Sequence, residues 1–215
     1  MGRSLKKGPF ELSLDTAFEA VIDGVPERIV VVDEAYGEFA GKSFIPDLED
    51  YENVIVTRTF SKAYGLAGLR IGYGVMPPLV ADYLNRVRQP FNVNTLAQVA
   101  ALAALDDEPF FHKTLEAVRE GLAFLVKELS LMGVPALPTQ ANFFLIDVGT
   151  DARKVYEAML RRGVIVRAMN AYGLNTYIRL TVGRPEENQR LIHHPVRGRQ
   201  RRLRCARQSL AYLAR

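Results

Sequence analysis

Thr59-Phe60-Ser61-Lys62-Ala63-Tyr64-Gly65-Leu66-Ala67-Gly68-Leu69-Arg70 comes just after Asn53-Val54-Ile55-Val56-Thr57, a short β-branched run that reads as a buried strand of an α/β sheet. A lysine just beyond such a strand can lose part of its proton affinity through desolvation and a neighbouring cation. Its neutral amine can then attack a carbonyl and form a Schiff base. For a Ser-Lys pair taken alone, the alternative is a solvated loop lysine. Eight residues on, Arg70 follows Gly65 and Gly68, which allow close backbone approach. Its guanidinium fork can hold a phosphate together with the hydroxyls of Thr59 and Ser61. The order GxxxxGK[ST] is absent and no GxGxxG follows a strand here, so the nucleotide-loop readings fall.

Outward from this stretch, Arg28-Ile29-Val30-Val31-Val32-Asp33 and Arg70-Ile71-Gly72-Tyr73-Gly74-Val75 repeat the short apolar pattern and predict two more buried strands. Asp15 to Asp23 reads as an amphipathic helix, and Pro77-Pro78 suits the start of another, with Leu79, Tyr83 and Val87 on one face. An Ala-rich helix is expected from Thr95 to Leu105. Pro109 opens a long one whose Phe111, Leu115, Val118, Leu122, Leu125, Leu129 and Met132 alternate by three and four until Gly133 ends it. Beyond lie a strand at Asn142-Phe143-Phe144-Leu145-Ile146-Asp147, a helix from Ala152 to Arg162 closed by Gly163, strands at Val164-Ile165-Val166-Arg167 and Tyr177-Ile178-Arg179-Leu180-Thr181-Val182, and a last helix from Pro185. The expected organisation is an atypical basic start (1–14), a strand-dominated part (15–92), a small α+β part (93–192) and an atypical arginine-rich tail (193–215).

Composition narrows the function classes. With 215 residues, 48% hydrophobic and 24% charged, the chain reads as an ordinary globular protein rather than a disordered one. No run approaches the roughly 18 apolar residues of a spanning helix, and no secretory pattern opens the chain, so a cytoplasmic protein without membrane association is expected. The net charge of +4 invites a nucleic-acid reading, but Arg197, Arg199, Arg201, Arg202, Arg204, Arg207 and Arg215 all lie in the tail. Without those seven, the remaining 21 basic residues face 24 acidic ones. The body is mildly acidic and nucleic acid is not the expected partner. The single Cys205 cannot form an internal disulfide, the adjacent His193 and His194 lack the spacing of metal ligands, and His112 is expected on a helix surface, so no metal site is expected.

Asp33 closes its strand with a carboxylate, which is costly there unless it meets a cation or hydrogen bonds. A protonated pyridine nitrogen would suit it, and Tyr36 could direct a hydroxyl at such a ring's phenolate oxygen. The alternative is an Asp that caps a turn and a Tyr that packs. Val32-Asp33-Glu34-Ala35-Tyr36-Gly37-Glu38-Phe39 followed by Thr59 to Tyr73 resembles the histidinol-phosphate aminotransferases, pyridoxal-phosphate-dependent class II aminotransferases. The likeness continues through Pro90-Phe91-Asn92-Val93-Asn94, Ala141-Asn142-Phe143, Gly163 to Arg167 and Ile178 to Gly183, covering roughly residues 15–192 in the family's order.

The resemblance implies an α/β fold: part of the large domain of the fold-type-I pyridoxal-phosphate transferases plus a small α+β carboxy-terminal domain, in a homodimer. It implies amino transfer between glutamate (with 2-oxoglutarate) and the phosphorylated imidazole alcohol or ketone of histidine biosynthesis. In that frame Lys62 carries pyridoxal 5′-phosphate and shuttles the proton, Asp33 holds the pyridinium, and Tyr36 bonds the ring oxygen. Thr59, Ser61 and Arg70 hold the cofactor phosphate. Arg167 and Arg179 stand at the family's substrate-anion positions, where the alternative for Arg167 is a solvated strand-end arginine. The nearest rival activity is a lyase such as threonine-phosphate decarboxylase; a non-catalytic fragment is a further alternative.

The family's members carry a long segment before the Asp33 strand that has no counterpart here, so the chain reads as amino-terminally truncated and its strands should have exposed edges. The first ten residues are similar to the start of a small-subunit ribosomal protein. The arginine-rich tail reads as a reading-frame change or a chimeric gene, an expectation that an intact frame through codon 192 on resequencing would overturn.

Overall fold

The computed structural model describes residues 14–192. The basic start before Leu14, and the tail with its seven arginines, His193-His194 and Cys205, lie outside the described residues. The chain divides into two compact units. One holds the residues up to Ala35, Lys42–Lys62 and Leu66–Ala101; the other holds Tyr36–Gly41, Ala63–Gly65 and the chain from Leu102.

The first unit is built on a three-stranded sheet of β1 (Val30–Asp33), β2 (Val54–Thr59) and β3 (Gly72–Val75). β1 runs parallel to β2, with Val30 opposite Val54 and Asp33 opposite Thr57; β3 runs antiparallel on the other side, with Thr59 opposite Gly72. The central strand is the buried one, as its β-branched composition predicts: Val54 and Val56 are fully enclosed. They pack with Val32 and with Ile22 of helix α1 (Leu14–Asp23), while Phe44, Ile45, Leu48 and Tyr51 from the β1–β2 connection close over them. The outer two strands depart from the expectation of full burial. Ile29 and Val31 are more than half exposed, and all of β3 but Val75 is exposed, because each strand is an edge with no further strand beside it among the described residues. Gly72 is required where it stands: a Cβ there would lie 2.6 Å from the carbonyl oxygen of Arg58 on the paired strand. β3 also starts two residues later than expected, since Arg70 adopts φ 54° and a left-handed residue cannot enter a strand. The short helix α2 (Gly37–Ala40), which belongs to the second unit, comes between β1 and β2 in the chain, and helix α3 (Pro78–Val87) follows β3 with Leu79, Tyr83 and Val87 exposed.

In the second unit the long helix α5 (Glu108–Leu131) begins where Asp107 accepts the Phe110 backbone N–H at 3.1 Å. It ends at Gly133, whose φ of 77° lets its own N–H reach Ser130 and the Val134 N–H reach Leu129. Before it in the chain runs the Ala-rich α4 (Thr95–Asp106), of which the residues up to Ala101 are counted with the first unit. After it come β4 (Phe143–Asp147), α6 (Ala152–Leu160), β5 (Arg167–Ala168), β6 (Tyr177–Thr181) and α7 (Pro185–Ile192). The sheet order is β4-β6-β5, antiparallel throughout. Phe144, Ile146, Ile178 and Leu180 point to one face and are buried against Leu125 and Leu129 of α5, Val155 of α6 and Ile192 of α7. His112 is exposed on α5, as expected.

The strand expected at Val164–Arg167 is confined to its last residue and Ala168. Val164 and Val166 are buried and Ile165 is exposed, so the alternation comes from packing. The Val164 N–H is already engaged by the Met159 carbonyl in closing α6, which withholds it from a strand ladder.

Two polar devices hold this unit's connections. Asn188, buried, accepts the Gly183 N–H on Oδ1 and donates Nδ2 to the Gly183 carbonyl, both at 2.9 Å. Replacing Asn188 with Leu strands both peptide groups, and a urea unfolding curve is expected to show a loss of about 2 kcal/mol. Two carboxyls cap helices: the Arg153 backbone N–H, and then the Asn170 amide, hold Asp151 below its usual carboxylate value. The Arg184 N–H, and then its side chain, do the same for Glu187. A carboxyl whose value is depressed by folding stabilises above its unfolded value and ceases to do so as pH falls through the folded one. Melting temperature is therefore expected to fall on acidification through and below the ordinary carboxylate range, and to fall less steeply there in an Asp151→Asn, Glu187→Gln double variant.

Candidate active site

The end of β2 and the turn after it assemble the residues singled out in the first unit. Thr59 Oγ1 accepts the Ser61 backbone N–H at 3.1 Å, which bends the chain at the strand's end and sets Lys62 directly beyond the turn, half-buried. The Phe60 carbonyl accepts the Leu66 N–H, and the Phe60 N–H reaches Ile71, so the loop from Ser61 to Arg70 is closed at its base. Arg70 returns to it: Nη1 donates to the Ala67 carbonyl at 2.8 Å and lies 3.5 Å from Ser61 Oγ. Its guanidinium is exposed and keeps donors to spare beside the two hydroxyls. Two hydroxyls and a cationic fork within one loop, next to an amine, form a donor set that fits a phosphate monoester with an aldehyde-bearing ring. Asp33, at the end of the neighbouring strand, is exposed and accepts the Ala35 N–H at 3.0 Å. It caps a turn here, one of its two sequence readings, and one carboxylate oxygen is spent on that bond.

A feature that sequence reasoning missed braces this loop. Glu34 and Arg58 form an ion pair at 2.7 Å, their side chains only 11% and 12% exposed. The Glu34 carboxylate also accepts the Ser43 hydroxyl at 2.9 Å and the Phe44 N–H at 2.5 Å. Glu34 follows Asp33 and Arg58 precedes Thr59, so the pair ties together the ends of the two strands that carry candidate cofactor ligands. The parallel register held the signal, since Asp33 stands opposite Thr57 and opposite charges follow one residue on. Arg58→Met leaves a carboxylate enclosed without its cation and is expected to cost about 3 kcal/mol in chemical denaturation. Adding Glu34→Leu removes that orphan charge, so the double variant is expected to be the more stable of the two.

In the second unit the face of the β4-β6-β5 sheet opposite the core carries the two candidate anion ligands. Arg167 and Arg179 are directly opposed in the β5–β6 register. Like charges placed opposite each other are unfavourable unless an anion lies between them. Arg179 sits 4.7 Å over the Phe143 ring, and its buried Nε has no hydrogen-bond partner among the described residues. Tyr36 meets the same Phe143 ring edge-on at 5.2 Å. Arg167, exposed, donates Nη2 to the Tyr172 hydroxyl at 3.1 Å and lies over that ring at 5.5 Å. Among the described residues no group of three or more His, Cys, Asp or Glu is placed to hold a metal ion, and no helix is long and apolar enough to cross a membrane.

Comparison with known proteins places the fold. The family model described as aminotransferase class I and II matches residues 17–194. The chain belongs to this family. It is 49% identical over 179 residues to histidinol-phosphate aminotransferase 1 of Nitrosococcus oceani, covering 81% of this chain and 48% of that protein. Among solved structures it is similar to histidinol-phosphate aminotransferase from Sinorhizobium meliloti in complex with pyridoxal-5′-phosphate (29% identity, TM-score 0.77, 91% of this chain and 53% of that one). It is also similar to L-threonine-O-3-phosphate decarboxylase from Porphyromonas gingivalis (28% identity, TM-score 0.71, 84% and 58%). The chain thus spans about half the length of the curated relatives it matches. The fold is the expected one: mixed α/β and shared with pyridoxal-phosphate aminotransferases over most of this chain.

Proposed function

We propose that this chain carries the lysine, phosphate-binding and substrate-anion residues of a pyridoxal-phosphate-dependent aminotransferase that moves an amino group between glutamate and a phosphorylated imidazole alcohol or ketone. The observation that carries the reading is the loop from Thr59 to Arg70, in which Ser61 and Arg70 meet beside Lys62. Pyridoxal phosphate, when bound, supplies the electron sink that stabilises charge developing at the substrate's α-carbon. The chain's own residues do the rest. Arg70, Ser61 and Thr59 hold the phosphate by charge-assisted hydrogen bonds. Lys62 supplies the amine that anchors the cofactor and then takes up and returns the α-proton. Asp33 keeps the pyridine nitrogen protonated, and Tyr36 donates its hydroxyl to the ring oxygen.

Arg179 and Arg167 bind the substrate's anionic groups. A planar fork pairs equally with the carboxylate of glutamate and the phosphate of the second substrate, so one pair of arginines serves both half-reactions. The same chemistry suits a phosphorylated amino acid, and the likeness to the threonine-phosphate decarboxylase favours that as the second reading. In either case the protein acts as a cytoplasmic homodimer.

Purified protein incubated with pyridoxal phosphate is expected to develop a visible absorbance band that Lys62→Ala lacks. Glutamate is then expected to bleach the band and release 2-oxoglutarate. A band insensitive to glutamate, with carbon dioxide released from O-phosphothreonine, would select the lyase. Absence of any Lys62-dependent band would refute both readings.

A further inference from the structure

The small sheet contains a residue to which the family likeness, although it runs through Ala141-Asn142-Phe143, has so far given no role. Phe143 opens β4 on the non-core face, one residue before the enclosed Phe144. In the β4–β6 register it stands opposite Thr181 and is therefore the diagonal neighbour of Arg179, close enough for a long side chain to reach. The Arg179 guanidinium lies over this ring at 4.7 Å. The ring also receives Tyr36 edge-on, with centroids 5.2 Å apart and planes at 75°. Tyr36 in turn lies 6.5 Å from Phe39 across a tilted ring pair, which leaves Phe143 as its nearer aromatic contact.

An aromatic face attracts a cation while its ring edge-to-face contacts set the angle of a neighbouring ring. One side chain therefore positions both the arginine assigned to the substrate's anion and the tyrosine assigned to the cofactor's ring oxygen. Arg179 has particular need of it. Its Nε is buried without a hydrogen-bond partner among the described residues, and the guanidinium lies over the Phe143 ring. A carboxylate in that place would fix the fork better but would neutralise the charge the substrate must meet. An aromatic ring orients the guanidinium and leaves its hydrogen-bonding edge available.

We propose that Phe143 is a shared positioning residue, coupling substrate-anion binding at Arg179 to the hydrogen bond that Tyr36 makes to the cofactor. The inference rests on the functional reading above. It requires that losing the ring impair two separate properties together, which a purely packing role on this face would not do.

The test compares Phe143→Leu, which keeps apolar bulk without a ring, with Phe143→Tyr, which keeps the ring. In Phe143→Leu the KM for glutamate is expected to rise about fivefold to tenfold, the size of a lost cation–aromatic contact. The pH midpoint of the Lys62-dependent band is expected to move up, because a hydroxyl donated to the ring oxygen weakens that oxygen's hold on the neighbouring proton. Phe143→Tyr is expected to restore both. Binding of inorganic phosphate, measured by calorimetry on cofactor-free protein carrying Arg70→Gln so that the Thr59–Arg70 loop does not compete, is expected to weaken in Phe143→Leu, and Phe143→Leu is expected to have no further effect once Arg179 is replaced by Gln. Melting curves identify a variant that has merely unfolded.

If Phe143→Leu holds the band but leaves KM, midpoint and phosphate affinity at wild-type values, the positioning role is wrong and the functional reading stands. If only one of the two properties moves, the shared role is equally overturned. If wild-type protein forms no band, the functional reading fails, and the phosphate arm alone decides whether Phe143 orients Arg179.

Discussion

The two-residue period of β4 and β6 is the constraint on which the second unit depends. Once Phe144, Ile146, Ile178 and Leu180 are committed to the core, pleating obliges Phe143, Leu145 and Arg179 to the opposite face. A cation in the middle of a strand thus has a place without any charge being buried in the core. The same register sets Arg167 opposite Arg179, and a slip by one residue would bury both charges and expose the core. The face that carries the two arginines is in this sense a by-product of the hydrophobic pattern, held in place by the burial of apolar side chains on the other side of the sheet.

The first unit depends on a different kind of constraint. Its central strand is enclosed, but its outer strands bury little, and the ends of β1 and β2 are secured by charge. Glu34 collects a guanidinium, a hydroxyl and a backbone N–H, which offsets the cost of enclosing a carboxylate. The family resemblance singled out the neighbours, Asp33 and Thr59, and passed over the pair that aligns them.

What could be read from the sequence follows the range of the interactions concerned. Helix boundaries set by local chemistry, such as the Gly133 stop and the Asp151-capped start of α6, were legible because their causes lie within a few residues. The approach of Arg70 to Ser61, and of Ser61 to Thr59, was legible because the end of β2 and the loop after it carry all three. The exposure of β3 was expected of an unpaired strand edge but not of its own residues, since an apolar run reports what a strand could bury and not whether a neighbour exists. The failure of Val164–Val166 to pair was hidden because one N–H, taken by the end of α6, decided it. The Phe143 contacts with Arg179 and Tyr36 required the register of two strands and a residue more than a hundred positions away. Of the two sequence readings of Asp33, the turn cap is the one the structure shows, in the bond its carboxylate accepts from the Ala35 N–H.

Arg70 carries the phosphate-binding assignment from a backbone conformation that disfavours it. At φ 54° a side chain as large as arginine is held at a cost of about 1 kcal/mol or more, and glycine would occupy the position without strain. Under the role proposed for Arg70, selection for heat resistance alone would pull position 70 toward glycine, while selection for phosphate retention would hold it at arginine. The residue marks a point where robustness of the fold and ligand capture compete for one codon.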